Sequence, residues 1–169
     1  MSKTEITAEP GIPVIVITRE FDAPRELVFR AHTDPDLLAQ WLGPRELTTT
    51  VDRYETRNGG TWRYTQSDPQ GSSCGFRGVF HGDPSPDAIV QTFEFEGVPG
   101  HVCLQSATFA ERGGKTLLRT VSLFQSVEDR DAMVASGMER GVQRPRRHPR
   151  SPDLRPPGTR PSGRSSRRR

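Results

Sequence analysis

Four histidines, His32, His81, His101 and His148, are the side chains here best suited to moving a proton or ligating a metal. Their spacing argues against a metal: there is no HExxH, and no two share a single element at ligand distance. His81 and His101 remain candidates for hydrogen-bonding groups on a cavity wall, beside the alternative of ordinary turn or surface positions. Gly114-Lys115-Thr116 has the ending of a phosphate-binding loop. That loop needs a further glycine five positions before Gly114, where the chain has Phe109. The segment also joins two strand-like runs instead of opening a helix, so it reads as a hairpin turn. A nucleophilic serine would need a GxSxG elbow, which does not occur. The carboxylates Asp52, Glu55, Glu94 and Glu96 fall on strand-like runs. They read as solvated strand faces, with a raised-pKa acid or base as the competing reading. No catalytic residue, metal or cofactor is assigned.

What remains is apolar. Trp41, Trp62, Tyr64, Phe76, Phe80, Phe93 and Phe95 are the aromatic stock for a core or a cavity wall. The candidate ligand-contacting set is Trp41, Trp62, Tyr64, Phe80, Phe93, His81 and His101. Cys74 and Cys103 have no CxxC or zinc-ligand setting and read as small buried hydrophobes.

The elements that must position these residues are legible in order. Val14–Phe21 is β-branched and reads as a strand. Asp22-Ala23-Pro24 stops it, and Leu27, Val28 and Ala31 recur at helical spacing. A second short helix follows, with Asp34 as cap, Pro35 at its start and Gly43-Pro44 at its end. The chain then alternates strands and tight turns: 47–56, 61–67, 73–81, 88–96, 102–111 and 115–124. Asn58-Gly59-Gly60 and Arg112-Gly113-Gly114 are among the turns. One strand, two helices and six more strands imply an α+β domain with an antiparallel meander. Ser126-Val127-Glu128-Asp129 opens a last helix, expected to run to about Arg140.

This ordered series is similar to a known family. The segment 17–29, ITREFDAPRELVF, resembles the opening of SRPBCC (START-like) proteins of the subgroup related to the C-terminal domain of the heat-shock-protein-90 ATPase activator. Thr33-Asp34-Pro35 with Trp41-Leu42-Gly43-Pro44, Asn58-Gly59-Gly60-Thr61-Trp62-Arg63-Tyr64, Gly114-Lys115-Thr116, the run 126–131 and Gly137-Met138-Glu139 resemble its later elements. The likeness covers roughly residues 12–142. It implies a helix-grip fold, a curved antiparallel sheet around a long C-terminal helix with a cavity between them. It further implies binding of a small apolar or amphipathic ligand, without catalysis of its own. The alternatives are a co-chaperone-like domain acting in stress response on a chaperone or another protein, and a cyclase- or hydrolase-like enzyme using the same cavity.

The chain departs from that pattern at its end. Residues 1–11 read as a flexible N-terminus and 12–142 as the domain; 143–169 read as a disordered Arg/Pro-rich tail. The tail has ten Arg, six Pro and one acidic residue, a charge of +9, whereas the preceding 142 residues carry 14 Lys+Arg against 20 Asp+Glu. Proline recurs too often for a helix. The hypothesis is a frameshift near codon 142: in a GC-rich gene, CGN codons followed by C re-read one base later as Asp, Ala, Val or Gly, and CCN codons as Leu, His, Arg or Pro. Losing the helix would uncover the concave side of the sheet and predicts a poorly stable, aggregating or dimeric chain. A further alternative function is nucleic-acid binding through this basic tail by phosphate neutralisation; if the tail is a frameshift product that binding is non-specific, and without interleaved aromatics base stacking is unsupported. No run reaches the roughly 18 apolar residues of a membrane span. The opening MSKTEITAEPG has no signal pattern, so a cytoplasmic protein is expected.

Overall fold

A computed structural model of the chain describes residues 3–136. The expected end of the last helix near Arg140, and the tail from Gln143, lie outside these residues. Eight strands form one antiparallel sheet in the order β1-β2-β8-β7-β6-β5-β4-β3. They are β1 (Thr4–Thr7), β2 (Val14–Phe21), β3 (Thr48–Tyr54), β4 (Thr61–Ser67), β5 (Ser73–Val79), β6 (Ala88–Phe95), β7 (Val102–Arg112) and β8 (Lys115–Leu123). Helices α1 (Arg25–Thr33) and α2 (Pro35–Trp41) follow β2, and α3 (Val127–Ala135) follows β8. This is the α+β, helix-grip arrangement expected from the sequence, with one addition. Residues 4–7, expected in a flexible N-terminus, form edge strand β1 with Ile6 opposite Ile17.

Local chemistry explains the boundaries. Asp34 caps α2 through hydrogen bonds from the Asp36 and Leu37 amides, and Pro35 occupies the first turn, where it has no helical N–H to lose. Gly113 and Gly114 both adopt positive φ in the β7–β8 turn, which settles the Gly-Lys-Thr segment as a hairpin. Ser126 caps α3 by accepting from the Asp129 amide. Arg130 then fixes this helix to the N-terminal segment, donating 2.6 Å to the Glu9 carbonyl and 2.7 Å to Asp131 while itself only 3% exposed.

One face of the sheet carries the core. Pairing places Ile15 opposite Ser122, Ile17 opposite Thr120, Arg19 opposite Leu118 and Phe21 opposite Thr116. The same face continues through Gln105, Ala107 and Phe109, then Ile89, Gln91 and Phe93, then Phe76, Gly78 and Phe80, then Trp62 and Tyr64. A register shift between Val51 and Arg53 lets Val51 and Tyr54, three residues apart, both pack against this core. Phe80 and Thr116 are fully buried, and the Thr116 hydroxyl donates 2.7 Å to the Ala23 carbonyl, tying β8 to the start of α1.

Candidate functional site

The core face is the concave face of the sheet, and four of the seven expected ligand-contacting residues meet there. Trp62 and Tyr64, two apart on β4, stack with ring centres 5.5 Å apart, and Phe93 lies 5.9 Å from Trp62. Phe76 bridges them, 5.2 Å from Tyr64 and 5.5 Å from Phe93. Phe80 sits beside Tyr54, 5.5 Å away and edge-on. Gly78 is what admits the indole: a methyl group there would lie 2.6 Å from Trp62 and 2.0 Å from the Thr92 carbonyl. Burial pushes the Tyr64 phenol above its ordinary pKa, so it stays protonated.

The other three lie elsewhere. Trp41 is on α2, where its indole N–H donates 2.8 Å to the Ala31 carbonyl and its ring packs 4.6 Å from His32. His81 is exposed beyond the end of β5. His101 is exposed in the loop before β7, with Nδ1 2.8 Å from Asp129 of α3. The histidine packed into the interior is His32. It stands among Phe21, Trp41 and Phe109 and donates through Nδ1 to the Val28 carbonyl at 2.7 Å. Burial, aided by the positive charge of Arg19, lowers its pKa to about 4 against the opposing pull of the Val28 carbonyl, so the ring is neutral.

Two polar features of the concave face escaped the sequence reading. The first is a row across three adjacent strands: Gln91 Nε2 donates 3.1 Å to Gln105 Oε1, and Gln105 Nε2 donates 3.3 Å to Ser122 Oγ. The second is Arg19 on β2, between Ile17 and Phe21 on that face. Its guanidinium lies 4.8 Å from the centre of the Phe21 ring. Its Nε is buried without a hydrogen-bond partner among the described residues, and burial lowers its pKa. The Trp62 indole nitrogen is likewise buried without a partner among them. Alternation alone would have pointed to Arg19, because it falls in phase with Ile15, Ile17 and Phe21. The glutamine row has no local signal, since it exists only through the register of β6, β7 and β8.

The convex face is charged and paired. Arg63 bridges Asp52 and Glu96, reaching the two Glu96 oxygens at 2.7 and 2.9 Å. Arg77 donates 2.5 Å to Glu94, whose other oxygen accepts from the Gly100 amide at 2.9 Å. Asp52, Arg63, Arg77 and Glu94 line a shallow groove of about 480 Å³. Glu94 is held below the usual carboxylate range by the Gly100 amide and then Arg77, and Glu96 by Arg63. Glu55 is lowered by the Thr61 amide and hydroxyl. The raised-pKa reading of the strand carboxylates is therefore reversed for these three: all are held ionised.

Cys103 is buried, its thiol pushed up to about 12 by burial, while Cys74 is half-buried, so only one of the two matches the buried expectation. No group of three or more His, Cys, Asp or Glu among the described residues could hold a metal ion. No helix among them is long and apolar enough to cross a membrane.

The comparisons agree with this geometry. The family described as "Activator of Hsp90 ATPase homolog 1-like protein" matches residues 22–145. No curated protein sequence matches the chain significantly. Among solved structures, a Rhodobacter sphaeroides protein superposes with a TM-score of 0.76 at 25% identity, covering 83% of this chain and 91% of its own. An Arthrobacter aurescens protein gives 0.75 at 25% identity, covering 82% and 84%. Protein Ms6760 from Mycobacterium smegmatis gives 0.75 at 23% identity, covering 83% and 90%, and shows the fold alone.

Proposed function

The chain belongs to the Activator of Hsp90 ATPase homolog 1-like family, and from that premise we propose that it binds a small apolar or amphipathic ligand against the concave face of its sheet. The observation that carries the reading is the Gln91–Gln105–Ser122 row in the middle of an aromatic surface. A face built only for packing would be more stable without three polar side chains whose hydrogen-bonding capacity is incompletely used. A binding face uses such groups to orient what lies on it. Trp62, Tyr64, Phe80 and Phe93 supply the apolar wall. In this reading Trp41, His81 and His101 have at most an indirect role.

Titration of the full chain with the apolar fluorophore N-phenyl-1-naphthylamine tests it. We expect saturable, blue-shifted binding that Gln105→Leu alters without unfolding the protein. A signal that rises linearly with no saturation overturns the reading.

The family description favours a second reading, a co-chaperone-like domain acting through its surface, for which the paired convex face is the natural contact. Stimulation of an Hsp90 ATPase by the full chain would support it, and loss of that stimulation on reversing the charge of Arg63 would place the contact. We further propose that the tail from Gln143 is a frameshift product, so that nucleic-acid binding through it is non-specific. Resequencing codons 135–155 tests this: an added or missing base supports it, and an intact reading frame overturns it.

A further inference from the structure

Arg19 is the charged side chain of the concave face that the described residues leave uncompensated. Arg25, Arg63, Arg77 and Arg130 each reach a carboxylate. Arg19 has none within ion-pair distance among the described residues, and its Nε is buried without a hydrogen bond. Its guanidinium lies over the Phe21 ring. A guanidinium offers five donors in a planar fork and cannot shed its proton to escape burial. The apolar neighbours Leu118 and Ile17 give it nothing to bond, and His32 nearby is neutral and donates to Val28. With its Nε buried and the rest of the fork half-exposed on an apolar face, the group is placed to take an anion lying on that face.

We propose that Arg19 is the anchor for the carboxylate of a single-chain carboxylic acid, whose hydrocarbon chain lies along the aromatic concave face. The inference rests on the ligand-binding reading and names its ligand class. A carboxylate matches the fork with two parallel hydrogen bonds and neutralises one cation with one charge. A phosphate monoester would bring close to two negative charges to a single arginine and leave the excess in an apolar setting. Ile17, Phe21 and Leu118 flank the anchor, and the row Ser122–Gln105 crosses the same face four residues along the strands, so a chain leaving Arg19 passes over apolar and then amide surface.

The test compares dodecanoate with dodecanol on the full chain at pH 8, below the micellar range, by calorimetry or by displacement of the fluorophore. Dodecanoate is expected to bind roughly tenfold to a hundredfold more tightly, as a charge-assisted pair predicts. Arg19→Gln should remove that preference while leaving dodecanol affinity unchanged, and Arg19→Lys should keep part of it. The wild-type comparison stands even if a variant fails to fold. Equal affinity of the two compounds overturns the inference and leaves the ligand-binding reading in place. Binding of neither overturns both.

Discussion

On the convex face, Arg63 and Arg77 meet Asp52, Glu94 and Glu96, and each of the five has an opposite charge in contact. On the concave face Arg19 meets an aromatic ring, and among the described residues the side chains of Gln91, Gln105 and Ser122 bond to one another. Both patterns are woven into the same strands: Arg63 lies between Trp62 and Tyr64, and Glu94 between Phe93 and Phe95. The convex charges complete each other: Asp52, Arg63, Arg77 and Glu96 remain partly in water and contribute little, and the buried Glu94 is held by Arg77 and the Gly100 amide. The concave polar groups Arg19, Gln91 and Gln105 are half-buried among aromatic and aliphatic side chains. It is this incomplete pairing beside the core, more than the number of charges, on which the proposed ligand-binding face rests.

This contrast makes packing on the concave side the most sensitive feature of the molecule. Phe80 is fully buried between Tyr54 and the β6 strand. Phe80→Ala should cost about 3–5 kcal/mol, read as a fall in the denaturation midpoint. A loss under 1 kcal/mol would mean that this face is not the core.

Next in size is a pH effect. His32 titrates at about 4 in the folded chain against an ordinary 6.5. The unfolded chain takes up that proton as pH falls below 6.5, while the folded chain resists until about 4. Stability from this group is therefore complete above 6.5 and is lost as pH falls through the window, amounting to roughly 3 kcal/mol. Glu55, Glu94 and Glu96, held low, add their own loss as pH falls through the ordinary carboxylate range and below it. Urea denaturation between about pH 7 and 5.5, above the carboxylate range, isolates the histidine. His32→Gln should flatten the slope there, and an unchanged slope would assign it to another group.

Much of this arrangement is written locally. Asp34-Pro35, Asn58-Gly59-Gly60 and Gly113-Gly114 mark their turns by backbone chemistry that no tertiary contact needs to supply. β1 is not legible: Thr4-Glu5-Ile6-Thr7 has a single large apolar residue, and the strand exists because β2 offers it an unpaired edge. The aromatic wall is half legible. Trp62 and Tyr64 alternate on one strand and declare a face, whereas Trp41 looks equivalent in composition and is withdrawn by its bond to the Ala31 carbonyl. The glutamine row and the isolation of Arg19 depend on which residues of distant strands come opposite, and composition carries no trace of register.

A third, smaller effect tests the seam between sheet and helix. Thr116→Val removes the fully buried hydroxyl that donates to the Ala23 carbonyl and should cost about 1–3 kcal/mol. The weakening should appear first as faster amide exchange in α1, since β8 then loses its hold on the start of that helix.

The smallest effect belongs to the convex face, and it is the one that can break the comparison. Arg63→Gln deletes the cation between Asp52 and Glu96, leaving two carboxylates that are both partly exposed and free to be hydrated. We expect a drop in melting temperature smaller than that of Thr116→Val. The difference from wild type should shrink with added salt and vanish near 1 M NaCl, where screening acts within about 3 Å. If Arg63→Gln instead proved as damaging as Phe80→Ala, and independent of salt, the convex ion pairs would be structural keystones. The asymmetry on which the proposal of ligand binding at the concave face rests would then be gone.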